Sequence, residues 1–256
     1  MNCPAFVINL ERDSERRDYM RTQLSTLGIT AEFVPAVDGR KMDASGWKTY
    51  DRNKTLRIYG VEMMATEIGC YLSHFNIYER MIRENIPVAL IMEDDIVCTP
   101  SLPTIIEDLI AGPNPEWLVV RFESQRGRVR EPKKPEFKGI SVKKLRGGEL
   151  YRLGTHVLGF GAYLIRKEGA QRMLEYGNPI FMPVDQTMDR YHENGIAPYI
   201  VRPLPVYQKP EMESRIGARP PNRNKEQPLY IRLLSRFQRI KDGISKRIYA
   251  LKHPLG

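Results

Sequence analysis

Val88-Ala-Leu-Ile-Met92 is an unbroken apolar run that ends directly on three adjacent carboxylates, Glu93-Asp94-Asp95. A run without polar alternation suits a strand covered on both faces, as in a largely parallel sheet between helices. The chain is therefore expected to be α/β. In open α/β sheets ligands gather beyond the carboxyl ends of the strands, which is where the three acids fall. Adjacent carboxylates repel one another, and burying them without counter-charge costs several kcal/mol. A hard divalent cation such as Mg²⁺ or Mn²⁺ relieves that repulsion and bridges to substrate phosphates. The competing reading of the same residues is a solvated acidic turn ahead of Pro100.

The flanking sequence supports the layered architecture. Residues 6–10 read as a short buried strand. Asp13 can cap a helix whose apolar positions are Met20, Leu24 and Leu27, and Gly28 closes it. A second strand over residues 32–37 and a turn at Asp38-Gly39 complete a strand–helix–strand opening. Residues 40–60 read as a loop with short helical pieces. A helix beginning near Thr66 follows, with Ile68, Leu72, Phe75 and Ile82 on one face. Beyond the acids, a helix over 105–110 and a strand over 117–120 are expected. Residues 123–150, rich in Arg, Lys, Gly and Pro, read as one long loop. Then come a glycine-containing strand over 157–165, short helices near 170 and 183, and a proline-containing strand over 200–207 at a sheet edge.

The 256 residues suffice for one sizeable domain. Lys and Arg number 40 against 31 Asp and Glu, a net charge of +9 that favours an anionic partner. Cys3, Cys70 and Cys98 are odd in number and form no CxxC pair, so a disulfide framework or thiolate zinc site is not expected. Cys70 and Cys98 lie in apolar runs and read as small buried hydrophobes. No stretch has the length of a signal core or a membrane span, and a cytosolic protein is expected. The division read from the sequence is a catalytic domain over 1–215, a linker over 216–229 and a basic amphipathic helical tail over 230–256. In the tail, Leu233, Leu234, Phe237, Ile240, Ile244, Ile248 and Leu251 alternate with seven basic residues and a single acid, Asp242. Such a helix reads as a contact for an anionic membrane surface. The alternative is a helix that packs its apolar face on the catalytic domain.

Several segments together carry a resemblance. Ala5-Phe-Val-Ile-Asn-Leu10, Ser14-Glu-Arg-Arg17 and Ala36-Val-Asp-Gly39 resemble the amino-terminal signature of glycosyltransferase family 25. This family holds lipooligosaccharide galactosyltransferases and collagen galactosyltransferase domains. Glu67-Ile-Gly-Cys-Tyr-Leu-Ser-His74 resembles its second signature and Leu90-Ile-Met-Glu-Asp-Asp95 its third. Gly161-Ala-Tyr-Leu-Ile165, Gly169-Ala170 and Pro183-Val-Asp185 resemble later blocks. Each segment alone is weak, but the ordered set is specific.

The resemblance implies a GT-A-type, Rossmann-like nucleotide-sugar-binding domain with a mixed sheet. It also implies an inverting transfer, most often of galactose from UDP-galactose, onto a lipooligosaccharide or lipopolysaccharide glycan. Another UDP-sugar or a protein acceptor are the variants. Glu93, Asp94 and Asp95 then correspond to the element that holds metal and donor diphosphate, with Asp95 first and Glu93 second as ligands of Mn²⁺ or Mg²⁺. Asn9, Arg16, Glu67, Ser73 and His74 are the further donor-binding candidates. For Arg16 a solvated helix position, and for His74 a packed core position, are the alternatives. Asp185 matches a late family aspartate and is the candidate base, because an inverting transfer needs a group to take the acceptor hydroxyl proton; a helix cap is its other reading. A lipid-linked acceptor places the enzyme peripherally on the cytoplasmic face of the inner membrane. A basic nucleic-acid-binding protein is the reading from another class; the chain has no recognisable nucleic-acid motif, and the carboxylates in the cleft oppose one. Nucleic acid is therefore not an expected partner.

Overall fold

In a computed structural model the chain is described over residues 3–42, 47–111, 116–124, 139–209 and 226–255, with residues 212 and 217. β1 (Ala5–Asn9) is wholly buried. α1 (Ser14–Thr26) buries Arg16, Met20 and Leu24, four residues apart on one face. Gly28 follows with φ +66°, the left-handed closure that glycine accepts without strain. β2 (Glu32–Pro35) then pairs parallel to β1. α2 (Arg52–Ile58) is capped by Asp51, which accepts from Lys54 N at 2.8 Å. α3 (Ala65–Arg83) leads into β3 (Val88–Glu93) and the short β4 (Ile96–Cys98).

α4 (Leu102–Ile110) buries Leu102, Ile105, Ile106 and Leu109. β5 (Val119–Arg121), β6 (Gly139–Leu145), β7 (Gly148–Leu153) and β8 (Ala162–Arg166) follow. Next come α5 (Lys167–Gly177), α6 (Val184–Met188) and α7 (Tyr191–Asn194). β9 (Tyr199–Arg202), β10 (Val206–Gln208) and the long α8 (Leu229–Lys252) complete the described chain.

Eight strands form one mixed sheet in the order β2-β1-β3-β8-β5-β9-β7-β6, and β4 pairs with β10 in a separate two-stranded piece. β3 is central and covered on both sides. Its Leu90 and Met92 pack with α1 and α4, and its Ala89 and Ile91 pack with α3 and α5. This is the α/β class with a mixed sheet and a carboxyl-terminal helix that the sequence predicts.

Three expectations are corrected. Residues 139–150 are not loop: β6 and β7 form an antiparallel hairpin, and residues 125–138 lie outside the described part. The charged composition misleads because β6 is an edge strand whose side chains are mostly solvent-facing. The segment 200–207 is two strands, not one. β9 sits inside the sheet between β5 and β7, and the prolines fall after it, between β9 and β10. The strand expected over 157–165 begins only at Ala162. Residues 157–160 instead form an irregular segment in which Leu158 adopts φ +56°. Most of the expected linker, 216–229, also falls outside the described residues.

Candidate active site

β1 and β3 run parallel, with Ile8 in register with Glu93. Their carboxyl ends therefore deliver Asn9 and the acidic cluster to the same edge of the sheet. A cleft of about 560 Å³ opens there. Arg16, Glu67, Ser73, His74, Glu93, Asp94, Asp95 and Asp185 all line it. Seven of these eight come from two segments, α3 and the end of β3, or from the first turns of α1. Asp185 arrives from α6, far along the chain.

Asp94 is held on both oxygens. Arg16 donates to Oδ1 at 2.9 Å and Asn9 Nδ2 donates to Oδ2 at 2.7 Å. The Asn9 amide is itself oriented, because Arg17 Nε donates to its Oδ1 at 2.8 Å. Asn9 does not line the cleft, and its side chain reaches Asp94 and the Asp13 carbonyl. Arg16 NH1 also lies 3.9 Å from Asp95 Oδ2. One buried guanidinium thus faces three carboxylates, which leaves two formal negative charges when all three are ionised.

Burial is the largest influence on Glu93 and Asp95 and raises both pKa values, with neighbouring carboxylates adding to it. Asp95 Oδ1 is buried without a hydrogen-bond partner, while the Asp95 carbonyl is fixed by Lys209 N at 2.9 Å. An orphaned carboxylate oxygen beside a second acid of raised pKa, with a residual charge of two, is a donor set that fits a hard divalent cation.

His74 on α3 is fully buried. Its Nδ1 is 2.8 Å from the Tyr163 hydroxyl, which in turn meets the Tyr78 hydroxyl at 2.7 Å. Nε2 has no hydrogen-bond partner and lies 3.5 Å from Glu93 Oε1. Burial lowers the His74 pKa to about 3, so the ring is neutral at physiological pH. Cys70 stands one turn earlier on the same helix face, and its thiol donates to Glu93 Oε1 at 3.8 Å. The ligand atoms of Cys70, His74 and Glu93 lie within 4.8 Å of one another. Cys70 was expected to be a buried hydrophobe; it is instead half-buried and lines the cleft. Its i, i+4 spacing from His74 is the signal that places both on one face.

Glu67 and Ser73 line the cleft but also hold backbone together. Glu67 accepts from Met64 N at 2.8 Å in a capping box. Ser73 Oγ donates to the Gly69 carbonyl at 2.7 Å and accepts from Val37 N at 2.8 Å. That second bond ties the Val37–Gly39 turn to α3. The approach is close: a Cβ on Gly69 would stand 2.6 Å from both Gly39 N and the Val37 carbonyl oxygen. The rim carries a further cation, Arg12, paired with Asp38.

Asp185 is the second residue of α6, and Pro183 precedes that helix as its N-cap. The carboxylate accepts from Gln186 N at 2.8 Å. Burial raises its pKa and Asp189 adds to this, while Arg121 and backbone N–H groups oppose it. Arg121 is spent on Asp189 at 2.9 Å and on the Gly159 carbonyl. Asp189 also accepts from the Val157 and Leu158 amides at 3.1 and 2.8 Å. This buried pair holds the irregular 157–160 segment, and with it Leu158 and Phe160, in the wall of the cleft.

The chain is similar to several known proteins. A "Glycosyltransferase 25 family member" of Anopheles gambiae is 33% identical over 198 residues, covering 74% of this chain and 31% of the relative. "Procollagen galactosyltransferase 1-B" of Xenopus laevis is 29% identical, covering 76% of this chain and 32% of the relative. The chain thus spans about a third of the length of the curated relatives it matches. A crystal structure of a glycosyltransferase involved in glycosylation of the major capsid of PBCV-1 aligns with a TM-score of 0.44 and 9% identity, over 82% of this chain and 94% of that one. The family model described as "Glycosyltransferase family 25 (LPS biosynthesis protein)" matches residues 2–188, the span that contains every cleft-lining residue named above. The chain belongs to glycosyltransferase family 25.

Proposed function

We propose that the chain is an inverting, UDP-sugar-dependent hexosyltransferase, with UDP-galactose as donor and a lipid-linked oligosaccharide of the lipooligosaccharide or lipopolysaccharide type as acceptor. The observation that carries this reading is the convergence of Glu93, Asp95, His74 and Asp185 on one cleft beside an Asp94 already neutralised by Arg16. The name of the procollagen galactosyltransferase relative supports galactose as the sugar. It equally supports a protein acceptor as the second reading.

Asp95 and Glu93 would hold a divalent cation, Mn²⁺ or Mg²⁺, whose charge stabilises the leaving diphosphate. Arg16 and the rim cation Arg12 add positive charge at the same end of the cleft. Asp94, locked by Arg16 and Asn9, shapes the site and is not a free ligand. His74 presents a neutral Nε2 toward Glu93. Asp185 takes the proton of the acceptor hydroxyl as the new bond to the anomeric carbon forms and the bond to the diphosphate oxygen breaks. In this reading the enzyme works at the cytoplasmic face of the inner membrane, with α8 against the anionic surface.

The test is a screen of UDP-sugars with EDTA-stripped protein to which Mn²⁺ is returned. Restored release of UDP, greatest with UDP-galactose, is expected. Undiminished turnover without metal would refute the metal assignment, and transfer to collagen-type peptides but not to lipid-linked glycans would favour the second reading.

A further inference from the structure

α8 is amphipathic, yet the stripe it turns toward the body is the more polar one. Ile231, Ser235, Gln238, Asp242 and Tyr249 recur at helical spacing and form the contact face. Ser235 is buried against Gly60. Asp242 receives both guanidinium nitrogens of Arg190, at 2.7 and 2.8 Å, and the Gln238 amide at 2.8 Å. The Tyr249 ring meets Tyr191 edge-on at 5.1 Å.

The opposite stripe is apolar and bare. At about 100° per residue, Leu233, Phe237, Ile240, Ile244, Ile248 and Leu251 fall together roughly opposite the contact face. Each is between 49% and 84% exposed. Arg232, Arg236 and Arg239 border this stripe on one side, and Lys241 and Lys252 on the other. The helix's single acid, Asp242, is turned inward and neutralised by Arg190. No helix among the described residues is long and apolar enough to cross a membrane, so α8 is suited to lie on a surface.

Charge decides between the possible occupants. A second copy of the helix would bring basic borders against basic borders. Anionic headgroups answer both borders at once, while acyl chains receive the stripe between them. We infer that α8 is a fixed docking ridge for an anionic lipid bilayer, inserted at shallow depth through its outward stripe. The Arg190–Asp242 fork then holds the catalytic body at a set orientation to the bilayer instead of on a free tether. This deepens the membrane-facing part of the reading above. Its test reads lipid binding alone, so it can fail while sugar transfer stands, and the reverse.

The experiment is co-sedimentation of the full chain with phosphatidylcholine vesicles with and without phosphatidylglycerol, for the wild type and for Phe237→Ser/Ile244→Ser. Both substitutions lie in the exposed stripe, and circular dichroism checks that the fold is kept. Binding to the anionic vesicles is expected, falling about tenfold or more without phosphatidylglycerol and in the double variant. In a second measurement, fluorescence added by Phe237→Trp is expected to be quenched by brominated acyl chains. Equal binding by the double variant, absence of wild-type binding, or an unquenched Trp would each overturn the inference. So would a concentration-dependent dimer that the double variant abolishes, which would assign the stripe to a second copy.

Discussion

Asn9 and Asp94 stand 85 residues apart in sequence, and a 2.7 Å hydrogen bond joins them, with the amide donating to the carboxylate. Because Arg17 fixes the other end of the amide, Asn9 acts as a strut for the acidic cluster. Asn9→Ala is expected to leave the chain folded and to weaken Mn²⁺-dependent donor binding about 10- to 100-fold, the usual effect of removing an outer-shell partner. Calorimetric titration of UDP in the presence of Mn²⁺ checks this. Unchanged affinity would mean that Arg16 alone sets the carboxylate.

Asp185→Asn keeps size and hydrogen bonding but removes the basic oxygen. It is expected to lower kcat by about 10²- to 10⁴-fold while the donor KM is little changed. Steady-state kinetics over donor and acceptor separates the two parameters. A fall in donor affinity with turnover preserved would move Asp185 from proton transfer to donor binding.

Gly69→Ala is expected to destabilise the protein by about 1–3 kcal/mol, because the new methyl meets backbone atoms on both sides of the Val37–Gly39 turn and neither can rotate away. Thermal unfolding measures it. An unaltered midpoint would show that the turn can slide along α3.

The α8 clamp responds to charge at its inward face. The Arg190–Asp242 pair is largely buried, with side chains 7% and 15% exposed. Burial would raise the Asp242 pKa, but His192, Arg190 and Gln238 beside it outweigh that and hold it well below the ordinary aspartate range. A depressed folded-state value means that the clamp is at full strength above the ordinary aspartate pKa and weakens only as pH falls toward the lower folded value. Asp242→Ala leaves a buried guanidinium facing less charge and is expected to cost about 3 kcal/mol locally. Hydrogen exchange along residues 229–252 should accelerate in the variant at neutral pH and in the wild type only in strong acid.

The elements that could be read from sequence are those whose physics is local. The apolar run of β3 and the acids at its end follow from side-chain type alone, and the structure places them at the centre of the sheet and the head of the cleft. The β6–β7 hairpin was hidden because an edge strand rich in Lys shows little hydrophobic pattern. The α8 period was visible in Leu233, Phe237, Ile240 and Ile244, but a period marks a stripe without saying which side of the helix meets the body. That side was decided by Ser235 fitting beside Gly60 and by Asp242 answering Arg190. The role of Asn9 was likewise non-local, since its partner is set by the β1–β3 pairing.

Among the described residues the open sheet ends on β2 and on β6, and each outer edge carries a row of backbone groups without a neighbouring strand. Glu32 and Pro35 terminate the short β2, and Lys143 and Lys144 lie on β6, with Lys143 reaching the Asp108 carbonyl. Charge and proline at these margins discourage another chain from adding itself to the sheet. The same lysines that obscure β6 as a strand therefore oppose the docking of another chain along this edge. Neutralising both, as in Lys143→Thr/Lys144→Val, would leave the β6 edge open to strand addition.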